Sequence, residues 1–323
     1  MTYRFAYRYY RRPFRRSLRT RHGCWDAREG LLVRLSQGGR HHYGEVAPLP
    51  WFGSESLAQA IALCEALPSE VSLADIRAIP GAYPACQFGL ESAWEQLYTE
   101  KAPNSKSGLM SAYLLPTGAD ALTAWAAPWQ QGHRTFKWKI GVAPATQELD
   151  LFTQLIAVLP AGAALRLDAN GGLTEENAMI WLDYCDRWVN PSAATVDCLE
   201  QPLPPERFAQ MLWLQQRYST SLALDESVAT VAQLEQCLAA GWQGVVVVKA
   251  AIAGFPSRLR QVCRKHQPDV IWSSVFETPV ARAYIFDYLI AAHPSQRALG
   301  FGVDHWFNEG LEQGCAHQIW SRL

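Results

Sequence analysis

Asp168, Glu200 and Asp225 each close a short run that reads as a β-strand. The runs are Leu165-Arg166-Leu167-Asp168, then Ala169-Asn170 and Gly171-Gly172; Val196-Asp197-Cys198-Leu199-Glu200, then Gln201-Pro202; and Leu222-Ala223-Leu224-Asp225, then Glu226-Ser227. Side chains alternate across a strand, so Arg166 and Asp168 share a face opposite Leu165 and Leu167. One such acid is explained as a helix cap. Three in succession, each before a helical pattern, are not. Carboxylates brought together repel unless they share a cation, and ligation by oxygen alone selects a hard ion, Mg2+ or Mn2+. Lysines lie on either side. In Phe136-Lys137-Trp138-Lys139 both ammonium groups point one way and Trp138 the other, while Lys249 ends the run Val245-Val246-Val247-Val248. Lysines facing an interior are costly without a purpose. Beside a bound cation, an amine favours its neutral form, the form a general base needs.

Two kinds of element must position these groups. Residues 2–9 and 30–35 read as strands by alternation, 43–46 as a third, and 57–67 and 84–98 as helices. Strands followed by helices indicate an α+β unit, which the Lys-, Ser-, Pro- and Asn-rich segment 101–108 links to the remainder of the chain. The polar segment 16–26, with Arg19, Arg21, His22 and Gly23, is expected to be a mobile lid between the first two strands. From Ser111 onward the rhythm changes. Candidate strands at 112–115, 135–140, 164–168, 196–200, 222–225, 245–249, 270–273 and 298–300 alternate with helical patterns at 145–159, 175–188, 206–218, 231–240, 256–266 and 279–292. That alternation means βαβ units and a parallel sheet, and eight strands close into a barrel. No G-x-G-x-x-G or G-x-x-x-x-G-K-[ST] supports the open doubly wound alternative. In a barrel, catalytic groups gather where strands end, which places the three acids over the mouth.

Composition narrows the function. The formal net charge is −1, with 49% hydrophobic and 18% charged residues, so neither a nucleic-acid footprint nor an acidic partner is indicated. The Arg-rich N-terminus is interleaved with Tyr, Phe and Trp, and no apolar core of a signal peptide comes after it. No apolar run is long enough for a membrane span. The eight cysteines are scattered without a C-x-x-C pair, which points to a reducing cytoplasm and against zinc held by thiolates.

Taken together, Lys-x-Lys, Asp-Ala-Asn, Glu-Gln-Pro, Asp-Glu-Ser and the later Lys resemble the enolase superfamily, in the order and spacing of its muconate-lactonizing-like branch. The resemblance implies an α/β fold: an N-terminal α+β capping domain over residues 1–105, completed by a C-terminal segment from about 302 to 323, and a modified (β/α)7β TIM-like barrel over 106–301. It also implies a Mg2+-dependent reaction on a small-molecule carboxylate that loses its α-proton to give a stabilised enediolate. Within the branch, Gly44-Glu45-Val46-Ala47-Pro48-Leu49-Pro50 with Phe52 and Glu55, and Ser273-Ser274-Val275-Phe276-Glu277, look most like the o-succinylbenzoate synthases. Thr278 stands in place of a serine and Gln201 in place of a glutamate found in many relatives.

The reaction implied is a syn dehydration of 2-succinyl-6-hydroxy-2,4-cyclohexadiene-1-carboxylate (SHCHC) to o-succinylbenzoate, a step toward menaquinone or phylloquinone. On that reading Lys139 is the base and then the acid, Lys137 holds the carboxylate, and Lys249 is a cation on the opposite face. Asp168, Glu200 and Asp225 hold Mg2+. Arg166, Asn170, Ser273, Ser274, Glu277 and Arg19 are candidates for substrate contact or support. Two rivals stand beside it: an N-succinylamino acid racemase or dipeptide epimerase, and a non-catalytic barrel binding an anion through Arg19 and Arg21. Three intact lysines argue against the latter, which needs no base. Oligomeric state is not legible.

Overall fold

The protein is described from a computed structural model covering residues 1–20, 23–98, 110–188, 194–307 and 314–323. Its N-terminal part is built on a long hairpin, β1 (Thr2–Thr20) against β2 (Gly23–Gln37). The pairing runs from Arg4 opposite Ser36 to Pro13 opposite Ala27, and resumes at Leu18 opposite Trp25 after an irregularity. With β3 (Arg40–Val46) and β4 (Glu70–Ser72) it makes a sheet in the order β3-β2-β1-β4. The segment expected as a loop at 16–26 is therefore, at 16–20 and 23–26, the far end of the hairpin arms. Arg21, His22 and the side chain of Arg19 lie outside the described residues; the backbone of Arg19 pairs with Cys24. Charge hid the strand period. Tyr10, Arg12 and Phe14 are buried while Arg11, Pro13 and Arg15 are exposed, so an arginine occupies an inward position that a strand pattern normally gives to an apolar residue.

Both faces of this sheet are used. Tyr3, Leu31, Val33 and Leu35 pack in one core with α1 (Leu57–Ala66), α2 (Leu73–Arg77) and α3 (Pro84–Glu95). Tyr10, Leu32 and Tyr43 pack on the other side with Val280 and with Ile319 and Trp320 of a C-terminal helix, Ala316–Arg322. Arg8 and Arg34 lie over the Trp320 ring at 4.9 and 4.7 Å. β3 runs directly against the backbone of α3: a Cβ added at Gly44 would meet the Gly89 carbonyl oxygen at 1.9 Å.

The second part is a parallel sheet in sequential order. Its strands are β5 (Tyr113–Leu114), β6 (Thr135–Lys139), β7 (Ala164–Asp168), β8 (Thr195–Glu200), β9 (Leu222–Leu224), β10 (Val245–Val248) and β11 (Asp269–Trp272). Helices α4 (Ala121–Ala124), α5 (Ala126–Gln130), α6 (Ala145–Val158), α7 (Glu175–Arg187), α8 (Phe208–Arg217), α9 (Val231–Ala239), α10 (Pro256–His266) and α11 (Pro279–Tyr284) return the chain between strands. The expected eighth strand is reduced to a bridge. Leu299 pairs with Ser111 and Gly300 with Ser273, so the last strand position joins the first and the sheet closes. Gly300 is required there, since a Cβ would lie 2.5 Å from Ser273 Oγ. The expected helix at 279–292 becomes a π-helical turn over Ile285–Ile290, and the expected linker 101–108 falls outside the described residues.

Strand alternation sorts the side chains. Cys198, Ala223, Val245, Val247 and Ile271 form a separate apolar plug inside the barrel. Phe136, Trp138, Leu165, Leu167, Leu222, Leu224, Val246 and Val248 belong to the larger core under the helices. The register between β7 and β8 slips by one residue, with Leu165 opposite Val196 but Arg166 opposite Cys198. Asp197 is the extra residue, and it binds Arg166 and Arg297.

The two parts are joined by carboxylates that meet backbone N–H groups at helix starts, where the unpaired donors and the helix dipole favour an anion. Glu45 of β3 accepts from Thr278 N and Ala281 N at the start of α11. Glu91 of α3 accepts from Ser257 N and Oγ at the start of α10 at 2.9 and 2.8 Å. Because the Gly44 contact is backbone against backbone, Gly44→Ala forces β3 off α3. Overpacking of this kind costs about 1–3 kcal/mol, expected as a lower urea midpoint with an unchanged slope; an unaltered midpoint would show that β3 can shift freely.

Candidate active site

The mouth of the barrel gathers Lys137, Lys139, Asp168, Glu200, Asp225 and Lys249. Register puts three of them in a row, with Lys139 opposite Asp168 and Asp168 opposite Glu200. Glu200 pairs with Ala223, two residues before Asp225. The Lys137 ammonium bridges two acids, 2.8 Å from Asp168 Oδ2 and 2.7 Å from Glu200 Oε1. Lys249 holds Asp225 from the far side and lies 3.8 Å from the centre of the Phe52 ring. Lys139 donates to Asn170 Oδ1 at 3.0 Å, and Asn170 Nδ2 donates to Glu226 Oε1 at 3.2 Å. The lysine side chains keep some contact with solvent, 24% exposed for Lys137 and 12% for Lys249, whereas the acids are buried.

Burial of these groups sets their charges. Desolvation pushes the Glu200 carboxyl up to about 7, with Asp168 and Asp225 adding to the rise and Lys137 opposing it. Asp225 is likewise raised by burial, against the pull of Lys249. At Asp168 burial works in the same sense, yet Lys137 and Lys139 outweigh it and hold the carboxyl below its ordinary range. Burial would lower Lys137, but attraction from Asp168, Glu200 and Asp225 prevails and raises it. Lys137 is thus a fixed cation.

The other residues singled out in the sequence divide by depth. Arg166 sits one layer below Asp168 on the same face, donating to Asp197 Oδ2 at 2.8 Å and to the Ala298 carbonyl at 3.0 Å. It belongs to a charged floor with Arg297 and Asp269, away from the mouth. Ser274 donates its hydroxyl to Glu277 Oε2 at 2.7 Å, and Glu277 also accepts from Val275 N and pairs with Arg282. Glu277 therefore shapes the turn after β11 from within. Ser273 is half-buried at the seam with Gly300. Asn170, Gln201 and Phe276, each just beyond a strand end, have left-handed backbone at φ 45°, 39° and 63°. Such conformations cost about 1–3 kcal/mol and cluster at functional sites.

The donor chemistry at the mouth fits a hard divalent ion. Three carboxylates supply oxygen only, and Glu200 Oε2 is buried with no hydrogen-bond partner. Among the described residues no three acids, thiols or imidazoles stand in ligating geometry, as ammonium groups now hold the acids.

Residues 121–317 match the family model described as enolase C-terminal domain-like, and residues 2–97 match the one described as MenC, N-terminal domain. The chain is 38% identical to the o-succinylbenzoate synthase of Thermosynechococcus vestitus, with 99% of each chain covered. The chain belongs to the o-succinylbenzoate synthase family. A second member, from Yersinia enterocolitica, is 32% identical over 79% of this chain and 76% of its own. The crystal structure of the Thermosynechococcus elongatus synthase, which holds Mg in its active site, superposes with a TM-score of 0.90 over 99% of this chain and 100% of that one, at 38% identity. The L-Ala-D/L-Glu epimerase of Bacillus subtilis shares the fold, with a TM-score of 0.76 at 20% identity over 94% of this chain and 90% of its own.

Both departures within this synthase family chain now have a structural account. Thr278 caps α11, accepting from Val280 N at 3.2 Å, and donates its hydroxyl to Glu45; a threonine can do both. Gln201 is wholly buried and uses its amide in two senses. Its Oε1 accepts from Asp225 N at 2.8 Å and Ser227 N at 3.2 Å, while its Nε2 donates to the Leu203 carbonyl and Ser227 Oγ. It braces the backbone that carries Asp225. In the sequence Gln201 stands out only as a departure from many relatives; its place directly after a strand-end acid is the one signal of this role. Gln201→Leu leaves two buried donors unmet, each costing about 1–3 kcal/mol. The expected result is a lowered thermal midpoint together with weaker Mg2+ binding by calorimetry. Stability lost with Mg2+ affinity intact would separate the brace from Asp225.

Proposed function

We propose that this site dehydrates SHCHC to o-succinylbenzoate, with Mg2+ as cofactor (Mn2+ as a substitute). The observation that carries the reading is the single row of Lys139, Asp168 and Glu200 at three adjacent strand ends, continued past the ends of the next two strands by Asp225 and Lys249. Asp168, Glu200 and Asp225 would hold the ion, which supplies positive charge to the substrate carboxylate as the α-proton leaves. Lys139 removes that proton. Asn170 orients it through the 3.0 Å hydrogen bond, and Glu226 fixes Asn170 in turn. The hydroxyl departs from the same face, so Lys139 returns the proton to it and water is lost. The C–H and C–O bonds break, the ring becomes aromatic, and no oxidant is required. Lys137, kept cationic by its acidic neighbours, adds charge beside the carboxylate. Lys249 faces the ring from the other side as a cation, its position set by Asp225 and the Phe52 ring.

The natural compartment for this chain is the cytoplasm. All eight cysteines are unbridged, and no helix among the described residues is long and apolar enough to cross a membrane. The epimerase reading differs in one respect: it needs a proton from each face of the α-carbon, and so a base at both Lys139 and Lys249.

Purified protein with Mg2+ and SHCHC should yield the aromatic product, followed by absorbance; no product would remove the reading. Asp168→Ala, Glu200→Ala and Asp225→Ala should each abolish calorimetric Mg2+ binding and turnover while the fold persists. Unchanged affinity in any two would sink the ligand assignment. Lys249→Arg keeps a cation that cannot act as a base at neutral pH, so dehydration should remain measurable. Lys139→Arg should lower it by about 10²–10⁴-fold, the usual contribution of a general base. Equal, near-total loss in both, with substrate still bound, would favour the two-base chemistry of an epimerase.

A further inference from the structure

The turn after β11, which carries Ser273, Ser274, Phe276 and Glu277, is held from outside the barrel. On β1, the buried Arg12 guanidinium donates through Nη1 to the carbonyls of Phe276 at 3.3 Å and Glu277 at 3.1 Å. It also lies over the Phe307 ring at 3.4 Å. On β3, the wholly buried Glu45 accepts from Thr278 N at 2.9 Å and Thr278 Oγ1 at 2.5 Å, and from Tyr10 Oη at 2.6 Å. Two strands of the capping sheet thus grip the backbone from Phe276 to Thr278, one by its carbonyls and the other by its N–H. Phe276 needs that grip, because its left-handed backbone persists only where the surroundings over-determine it.

Phe276 also belongs to an aromatic row that reaches Lys249. Its ring lies 5.5 Å from Trp25, Trp25 lies 4.9 Å from Trp51, and the next residue, Phe52, packs on Lys249. A displaced Phe276 therefore moves one wall of the mouth, while Asp168, Glu200 and Lys139 stand on other strands.

We propose that Arg12 and Glu45 are positioning residues for substrate binding: from the capping sheet they fix the 276–278 backbone, and so place Phe276, at the head of the turn braced from within by Ser274 and Glu277, against the part of the substrate remote from the metal. This rests on the dehydratase reading for its substrate, but the grip itself is a property of the chain. A purely structural role for the same bonds predicts fewer folded molecules, each of normal affinity. Positioning predicts altered affinity in molecules that are folded.

The test compares Arg12→Met, Arg12→Lys and Glu45→Gln with the parent chain. For Arg12→Met and Glu45→Gln, faster amide hydrogen exchange over 274–278 is expected, with exchange of β6 unaltered. KM for SHCHC should rise about tenfold or more while kcat changes less than about threefold, as expected for lost substrate placement rather than lost chemistry. Mg2+ affinity should stay within about twofold, since none of the changes touches an acid at the mouth. Arg12→Lys should recover part of the KM. Unchanged exchange, or faster exchange with unchanged KM in folded protein, would overturn the proposal. Should either variant fail to fold, Thr278→Val removes the hydroxyl bond to Glu45 together with the cap on Val280 N, leaves the Thr278 N–H bond to Glu45 in place, and is held to the same criteria. A parent chain that leaves SHCHC untouched would instead remove the dehydratase reading, while the exchange data would still report on the grip.

Discussion

Three carboxylates buried at one end of a barrel cannot stand without compensating positive charge, and much of this structure answers that demand. Desolvation alone would neutralise them, as the rise of Glu200 toward 7 indicates. Lys137 answers for Asp168 and Glu200, and Lys249 for Asp225. Lys137 reaches up from the middle of β6 and Lys249 stands just past the end of β10, so the strands must keep their relative heights for both to meet the acids. Beneath the acids lie the apolar plug and the Arg166–Asp197–Arg297 cluster, with Arg166 in register with Cys198 of the plug. The arrangement is preorganised for chemistry that builds negative charge at the mouth, since the cations are in place beforehand.

The acids, the lysines and the barrel rhythm were legible because each is a local pattern. A two-residue period fixes which side chains share a face, and repetition at three strand ends marks the face that matters. The hairpin was misread for the same reason: Arg12 breaks the apolar alternation on which the reading of β1 depended. Partners far apart in the chain left no local trace. Glu45 meets Thr278, Arg12 meets Glu277, and Arg166 meets Ala298, pairings that only the closed fold creates. Gln201 was visible as an unusual residue at a telling place, yet its dual use as donor and acceptor depends on the turn after β9, which no sequence period encodes.

The joint between the capping sheet and the barrel uses carboxylates where an apolar seam would also have held. Glu45, Glu91 and Glu95 each meet a specific partner: the start of α11, the start of α10, and Arg260 with Tyr284. Apolar packing tolerates small slides between surfaces, whereas a buried carboxylate facing N–H groups has one good register and a steep cost elsewhere. A site divided between two structural units needs that kind of alignment.

The helix at Ala316–Arg322 packs Ile319 and Trp320 on Tyr10, Leu32 and Tyr43. During synthesis, one face of the first sheet to emerge therefore waits for side chains made almost three hundred residues later. At ribosomal rates of roughly 5–20 residues per second that interval is on the order of tens of seconds. For that time a strip of tyrosine and leucine stands open to water, available to a chaperone or to a neighbouring nascent chain. The yield of this protein in a cell is thus tied to how that strip is shielded before its own helix arrives.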